Sequence, residues 1–141
     1  MGYLRVEDLD VYQRLCALHI EVCDLTHQWP SEERYELASQ VRRSSNSSPA
    51  NLAEKHSDRH IRNKIEGVNR ARTEAMETIH HLYIARLKDY IDEAIYRAFR
   101  ERYLEGVRML NGLEKTLERS LTTSDRRWPP NPEAQTPTPE S

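Results

Sequence analysis

The sequence contains little of the material from which β-sheet proteins are built. Its 141 residues include four glycines and one phenylalanine, whereas sandwiches and barrels need many turns and many strand-forming aromatic residues. No run approaches the roughly 18 consecutive apolar residues of a membrane span, and no charged and then apolar leader opens the chain. These absences argue against a β-sheet fold and a membrane-spanning protein, and they make the cytoplasm the expected compartment. The length fits a single domain.

Cysteine and the motifs of common catalytic sites are also scarce. Cys16 and Cys23 are seven residues apart, which on a helix is a rise of about 10 Å, too far for a disulfide within one chain. The sequence has no glycine-rich phosphate loop and no nucleophile elbow. Glu77-x-x-His80 is one half of a di-metal helix motif, but no second half with inward-facing glutamates accompanies it. We therefore predict no cofactor, no metal and no enzymatic activity.

Helical periodicity, by contrast, runs through most of the chain. Apolar residues recur at alternating steps of four and three, which is the spacing of one face of a helix. The first such helix is predicted to start at Asp8 or Asp10 and to end near Gln28. Its apolar face carries Val11, Leu15, Leu18, Val22, Leu25 and Trp29.

The second helix is predicted from two sequence signals. Trp29-Pro30 ends the first helix, because proline disfavours helical geometry in the residue before it. Ser31 then offers an N-cap for a second helix, in which Pro49 is out of place. We expect Pro49 to kink this helix or to restart it, with Ser47 or Ser48 as the new cap.

Two longer helices and a tail complete the prediction. Ser57-Asp58 is expected to cap a third helix that ends near Lys88, and Asp92 to cap a fourth that ends near Leu121. Residues 121–141 are rich in proline, serine and threonine and have little to bury, which predicts a disordered tail. Residues 1–120 are therefore predicted to form an all-α, antiparallel up-down-up-down four-helix bundle.

Charge is distributed unevenly along the chain. The formal net charge is -2, yet residues 55–88 contain eight basic and four acidic side chains, whereas residues 1–30 contain two and five. Charge segregated in sequence becomes a charged face when it falls on one element, and cations neutralise the phosphates of nucleic acids. The residues predicted to contact phosphates are Lys55, Arg59, Arg62, Lys64, Arg70, Arg72 and Lys88. The aromatic residues that single-strand binders place among such cations are not apparent in this block.

The second helix carries a longer motif. The run QVRRSSNSSPANLAE, residues 40–54, resembles the signature Q-I-R-R-A-x-x-S-I-P-A-N-I-A-E-G of the four-helix-bundle proteins of rRNA intervening sequences. Leu9 to Tyr12, Trp29-Pro30 and Ala71-Arg72 with Glu77 resemble other conserved stretches of that family, so the resemblance covers about residues 4–118. Lys55, where the family has glycine, and Ser48, where it has isoleucine or valine, depart from the pattern.

This resemblance implies both an assembly and a partner. Members of the family form four-helix bundles that assemble as ring-shaped homopentamers. Related accessory proteins of diversity-generating retroelements bind a reverse transcriptase and its template RNA through a basic surface. The resemblance thus favours a homo-oligomeric, nucleic-acid-binding accessory protein that serves a reverse transcriptase.

The motif residues themselves are predicted to have structural roles, as ion pairs and as caps around Pro49. They are Gln40, Arg42, Arg43, Pro49, Asn51, Glu54 and Glu77. The alternative function is an oligomeric scaffold that binds only protein. It predicts that Arg59, Arg62 and Lys64 are paired with acidic residues of neighbouring helices or subunits.

Overall fold

Four long helices make up most of the described chain. The computed structural model describes residues 5–121, and its helices are α1 (Asp10–Thr26), α2 (Leu37–His56), α3 (Ile61–Leu87) and α4 (Glu93–Arg119). Single 3-10 turns, Val6–Asp8 and Ser31–Glu33, precede α1 and α2. Between residues 5 and 121 there is no strand, and none of the helices there is long and apolar enough to cross a bilayer. The predicted all-α, four-helix class is confirmed. The predicted tail, beyond Leu121, lies outside the described residues.

The core is formed by the predicted apolar faces. Each helix contributes side chains that are almost completely removed from solvent, and burial of such side chains is the main favourable contribution to folding. The most buried are Leu15, Leu18, Val22, Val41, Val68, Leu82, Tyr103 and Leu110. Two predicted helix starts are also confirmed, since α1 begins at Asp10 and the Asp92 carboxylate accepts a hydrogen bond from the backbone N–H of Ile95 at 2.8 Å.

Small residues allow α2 and α3 to approach closely. The Ser44 and Thr78 hydroxyls are 2.7 Å apart, and the Ser48 hydroxyl donates to the carbonyl of Ala71 at 2.7 Å. At Gly67 there is no room for a side chain, because an added Cβ would lie 2.6 Å from the Cβ of Lys55. Both serines are fully buried, and their hydroxyls are satisfied, as burial of polar groups requires.

Pro49 does not interrupt α2. The helix continues from Leu37 to His56 with Pro49 buried inside it, so the predicted restart with a serine cap is wrong. Proline removes one backbone N–H donor from a helix. The Asn51 side-chain amide donates to the carbonyl of Ser47 at 2.8 Å, so a side chain of the motif adds a hydrogen bond to the backbone of this turn.

The start of α2 also differs from the prediction. Ser31 lies in a 3-10 turn, and α2 begins six residues later, at Leu37. The side chain that accepts the N–H of Leu37, at 3.2 Å, is the buried carboxylate of Glu33. A glutamate anchored by tertiary contacts thus replaces the local serine cap. At the start of α3, Asp58 accepts hydrogen bonds from the backbone of His60 and from Asn63, and the N-cap is His60 rather than Asp58.

Candidate nucleic-acid interface

Five of the seven predicted phosphate contacts lie between the end of α2 and the third turn of α3. We call them the turn cluster: Lys55, Arg59, Arg62, Lys64 and Arg70. Asp58 orders this turn, because one carboxylate oxygen accepts the N–H of His60 at 2.8 Å and the other accepts the Asn63 amide at 3.1 Å. These hydrogen bonds lower the pKa of Asp58, the backbone bond from His60 having the larger effect.

Arg59 is an exposed member of the cluster. Its side chain is exposed in the turn, and no ion pair forms at Arg59 or at Lys64 within residues 5–121. Lys64 is half-buried at the edge of a small apolar cavity of about 60 Å³ between α2, α3 and α4. A lysine in this position buries its methylene groups and extends its ammonium group to solvent.

Lys55 and Arg70 share one acidic partner. The Lys55 Nζ and the Arg70 Nε lie 3.7 Å and 3.6 Å from the same carboxylate oxygen of Glu66. The side chains of Arg70 and Glu66 are 61% and 49% exposed, and ion pairs of this kind contribute about 0–1 kcal/mol. A phosphate can therefore compete for Arg70 at little cost, whereas the side chain of Lys55 is only 27% exposed.

Arg72 has a different environment. It points from α3 to α4, where its guanidinium lies 2.7 Å from a carboxylate oxygen of Glu114 and donates to the amide oxygen of Asn111 at 2.6 Å. It also donates to the amide oxygen of Asn69. Because this network fixes the guanidinium between two helices, the structure separates Arg72 from the turn cluster.

Lys88 lies at the other end of α3, about 39 Å along the helix from Arg62 and about 27 Å from Arg70. Its Nζ is 2.7 Å from Glu33 Oε2, which also accepts the Tyr90 hydroxyl at 2.6 Å. The hydrogen bonds from Lys88 and Tyr90 lower the pKa of Glu33 to about 2. The structure therefore places Lys88 in a link between the segment before α2 and the α3–α4 turn, and not in a phosphate site with the others.

The residues of the family motif take up varied positions on α2. Arg42 donates from Nε to the Thr26 hydroxyl at 2.7 Å and so ties α2 to the end of α1. Arg43 lies 3.5 Å from Glu77 on α3, in a pair that is largely exposed. Gln40 and Glu54 are both exposed on the surface of α2.

Glu77 belongs to a polar cluster on α3. It lies 3.5 Å from the Nε2 of His81, and a hydrogen bond from Glu74 lowers its pKa. Burial, together with that hydrogen bond, raises the pKa of Glu74, while burial lowers the pKa of His81. Within residues 5–121, no group of three or more His, Cys, Asp or Glu side chains could hold a metal ion.

The structure also brings together residues that the sequence analysis did not connect. The rings of Tyr83 on α3 and Tyr96 on α4 are in contact, with centroids 5.6 Å apart. Arg100 lies one helical turn beyond Tyr96 and is exposed. The two tyrosines are 13 residues apart on different helices, so no local spacing could have indicated that they meet.

The comparisons with known proteins agree with this fold. A solved structure from Bacteroides thetaiotaomicron VPI-5482, described as a protein with unknown function from the S23 ribosomal protein family, is 23% identical. The match covers 74% of this chain and 95% of that one, with a TM-score of 0.69, and it shows a shared fold. The comparison with curated proteins found no match. The family model described as "23S rRNA-intervening sequence protein" matches residues 7–112, which is most of the chain. The chain therefore belongs to the 23S rRNA-intervening sequence protein family.

Proposed function

We propose that this protein is a non-enzymatic, oligomeric accessory protein that binds RNA through the turn cluster. The observation that carries the proposal is the concentration of five cations within residues 55–70, around the ordered turn between α2 and α3, with Arg59 exposed and free of an ion pair within residues 5–121. Cations in such a position neutralise phosphates and release condensed counterions. The description of the family, which refers to rRNA, supports RNA as the nucleic acid.

The proposal includes an assembly. Ser44 on α2 contacts Thr78 on α3, whereas Lys55, eleven residues later on α2, contacts Glu66, which lies twelve residues earlier on α3. The two helices therefore run antiparallel. This supports an up-down-up-down arrangement. The resemblance described above adds a ring-shaped homo-oligomer, for which we propose five copies. A ring would present several turn clusters to one RNA strand and would bind it more tightly than a single copy does.

The proposed partners follow from the same resemblance. A reverse transcriptase with its template RNA, as in a diversity-generating retroelement, is the partner that we propose for the assembled ring. The cytoplasm is the proposed compartment. If a reverse transcriptase co-purifies with a tagged copy of this protein and is lost when the sample is treated with ribonuclease, the result would support a complex bridged by RNA.

RNA binding is tested by fluorescence anisotropy of a short labelled single-stranded RNA across a salt series. We expect affinity to fall linearly with salt on logarithmic axes, with a slope set by the number of phosphates neutralised. In the double variant Arg59→Glu/Arg70→Glu the slope should be shallower by about 1.4 for each copy that contacts the RNA, because each phosphate contact on a single strand contributes about 0.7.

A matched control separates a local effect from a change in net charge. Arg34→Glu/Arg108→Glu alters the same number of charges, and Arg34 lies before α2, at the other end of that helix from Arg59. Arg108 resembles Arg70 in that it is 59% exposed and pairs with a nearby carboxylate, that of Glu105. Equal losses of affinity in the two double variants would show that the turn cluster is not the binding site.

The scaffold that binds only protein is the second candidate. The observation that favours it is that Arg72 and Lys88, both predicted phosphate contacts, are engaged with acidic residues of the same chain. It predicts that the wild-type oligomer binds no RNA even at low salt. Light scattering on the same samples would establish that the protein tested is assembled.

A further inference from the structure

An aromatic and apolar surface lies where α3 and α4 meet, away from the turn cluster. Tyr83 is 45% exposed, and Met76 and Leu87 on the same side of α3 are 45% and 55% exposed. Tyr83 contacts the half-buried Tyr96 of α4 at a centroid separation of 5.6 Å, with an angle of 57° between the rings. This contact holds the Tyr83 ring in place while leaving almost half of the side chain open to solvent.

A cation stands beside this surface. Arg100 follows Tyr96 by four residues, so the two side chains lie on the same side of α4. Arg100 and Tyr96 border a groove of about 300 Å³, together with Arg97, Glu93 and Glu101. Glu93 is paired with Arg97 and Arg86, at 2.7 Å each, whereas Arg100 forms no ion pair with any residue from 5 to 121. Arg100 is therefore the cation that is available to an anionic ligand here.

We propose that this surface binds an unpaired segment of RNA, with a base stacked on the exposed face of Tyr83 and a phosphate on Arg100. The proposal rests on the RNA binding proposed above, but it names a second site about 30 Å along α3 from Arg62 and about 20 Å from Arg70. Aromatic rings bind single strands because every base has a π-face, and a flanking cation neutralises the backbone. A duplex keeps its bases stacked and offers no free face to Tyr83.

The aromatic pair and the available guanidinium are the observations that favour RNA over protein. Exposed apolar patches also occur at contacts between proteins, and a contact between copies of this chain is the competing occupant. A nucleotide matches both features at once, because its base can stack on the exposed ring and its phosphate can meet a guanidinium that has no ion pair within residues 5–121. The two occupants give different results in the experiment that follows.

The test measures binding of a labelled, unstructured single-stranded RNA and of an RNA duplex to the assembled protein. We expect Tyr83→Ala to weaken single-strand binding about tenfold, within the range measured for loss of one stacked base. The salt dependence should not change, since the lost contact is uncharged. Tyr83→Phe should bind as wild type, whereas Arg100→Gln should make the salt slope shallower by about 0.7 for each copy that contacts the RNA. Duplex binding should be the same in all of these variants.

Two further variants serve as controls. Tyr35→Ala removes a tyrosine that is 85% exposed but lies in the segment before α2, and it should leave RNA binding unchanged. Tyr83→Leu keeps apolar bulk against Tyr96, so it retains the fold if alanine does not, and it should lose single-strand affinity as alanine does. Circular dichroism and light scattering establish fold and mass for each variant.

Three results would overturn the inference. If the wild type binds single strands and Tyr83→Ala binds as tightly as Tyr35→Ala, the stacking site is wrong while RNA binding through the turn cluster stands. If the wild type binds no RNA at low salt, the proposed function and the stacking site fall together. If Tyr83→Ala and Tyr83→Leu reduce the mass of the oligomer, the surface is a contact between copies.

Discussion

Glycines on α3 and α4 allow a test of how closely each of these helices packs on its neighbours. Replacing glycine by alanine inside a helix stabilises it by about 0.8–1 kcal/mol where the new methyl group has room. Gly112 on α4 has such room, since nothing lies within 4 Å of an added Cβ. We therefore expect Gly112→Ala to raise the free energy of unfolding by about 0.8 kcal/mol.

Gly67 is in the opposite situation. An added Cβ would lie 2.6 Å from the Cβ of Lys55 and 3.1 Å from the carbonyl oxygen of Asn51. Neither atom belongs to the end of a flexible side chain, so α2 itself must move. Overpacking of this kind costs about 1–3 kcal/mol. After the gain in helix propensity is subtracted, we expect Gly67→Ala to destabilise the protein by about 1 kcal/mol.

Urea denaturation followed by circular dichroism at one fixed protein concentration measures both variants, because assembly makes stability depend on concentration. The expected difference of about 2 kcal/mol corresponds to a midpoint shift of about 1 M for a typical m-value. Gly106, whose added Cβ would make an ordinary 3.5 Å contact with Leu15, should fall between the two. If Gly67→Ala were as stabilising as Gly112→Ala, the close approach of α2 and α3 described above would be wrong.

Two further predictions concern single carboxylates. Glu33 has a pKa of about 2 against its usual 4.5, so the stability it contributes is complete above pH 4.5 and is lost as the pH falls toward 2. Denaturation midpoints measured between these values should fall with pH more steeply in the wild type than in Glu33→Gln, and the exposed control Glu32→Gln should behave as wild type. Asp92→Ala should cost about 1 kcal/mol in urea denaturation because it removes the cap on the N–H of Ile95. Glu101→Ala, exposed within the same helix, should change stability by less than about 0.5 kcal/mol, and an equal loss in both would contradict the capping role.

The helices were largely predictable because their signals are local. The cap at Asp92 is an example, because its carboxylate and the N–H of Ile95 that it accepts are three residues apart. The start of α2 was not predictable in this way. The side chain that accepts the N–H of Leu37 is Glu33, and Glu33 is held by Lys88, 55 residues away. The predicted cap, Ser31, is thus replaced by Glu33, whose own partner Lys88 is distant in the sequence.

Pro49 illustrates the same limit. Proline inside a helix is unfavourable on local grounds, yet α2 continues through it. The flanking Ser44, Ser45 and Ser48 are completely buried, and hydroxyls of this stretch bond to α3. Packing between α2 and α3 is thus what stabilises the helix across the proline.

The candidate site was predictable in composition but not in geometry. The excess of cations in residues 55–88 is visible in the sequence. The acidic partners of Arg72 and Lys88 lie 42 and 55 residues away, on α4 and before α2. The contact of Tyr83 with Tyr96 likewise exists only because α3 and α4 pack side by side.

The sequence by itself determined the helical class, the number of helices, the family and the segregation of charge, because each of these depends on periodicity, short motifs or composition. The tertiary structure decided where α2 begins, why Pro49 is tolerated, which of the predicted cations pair with acidic residues and which aromatic rings meet. These properties depend on side chains from different helices, and hydrogen bonds and ion pairs act over only a few ångströms. Residues that are distant in the chain therefore form these hydrogen bonds and ion pairs only once the helices have packed, and local sequence patterns do not indicate which residues will meet.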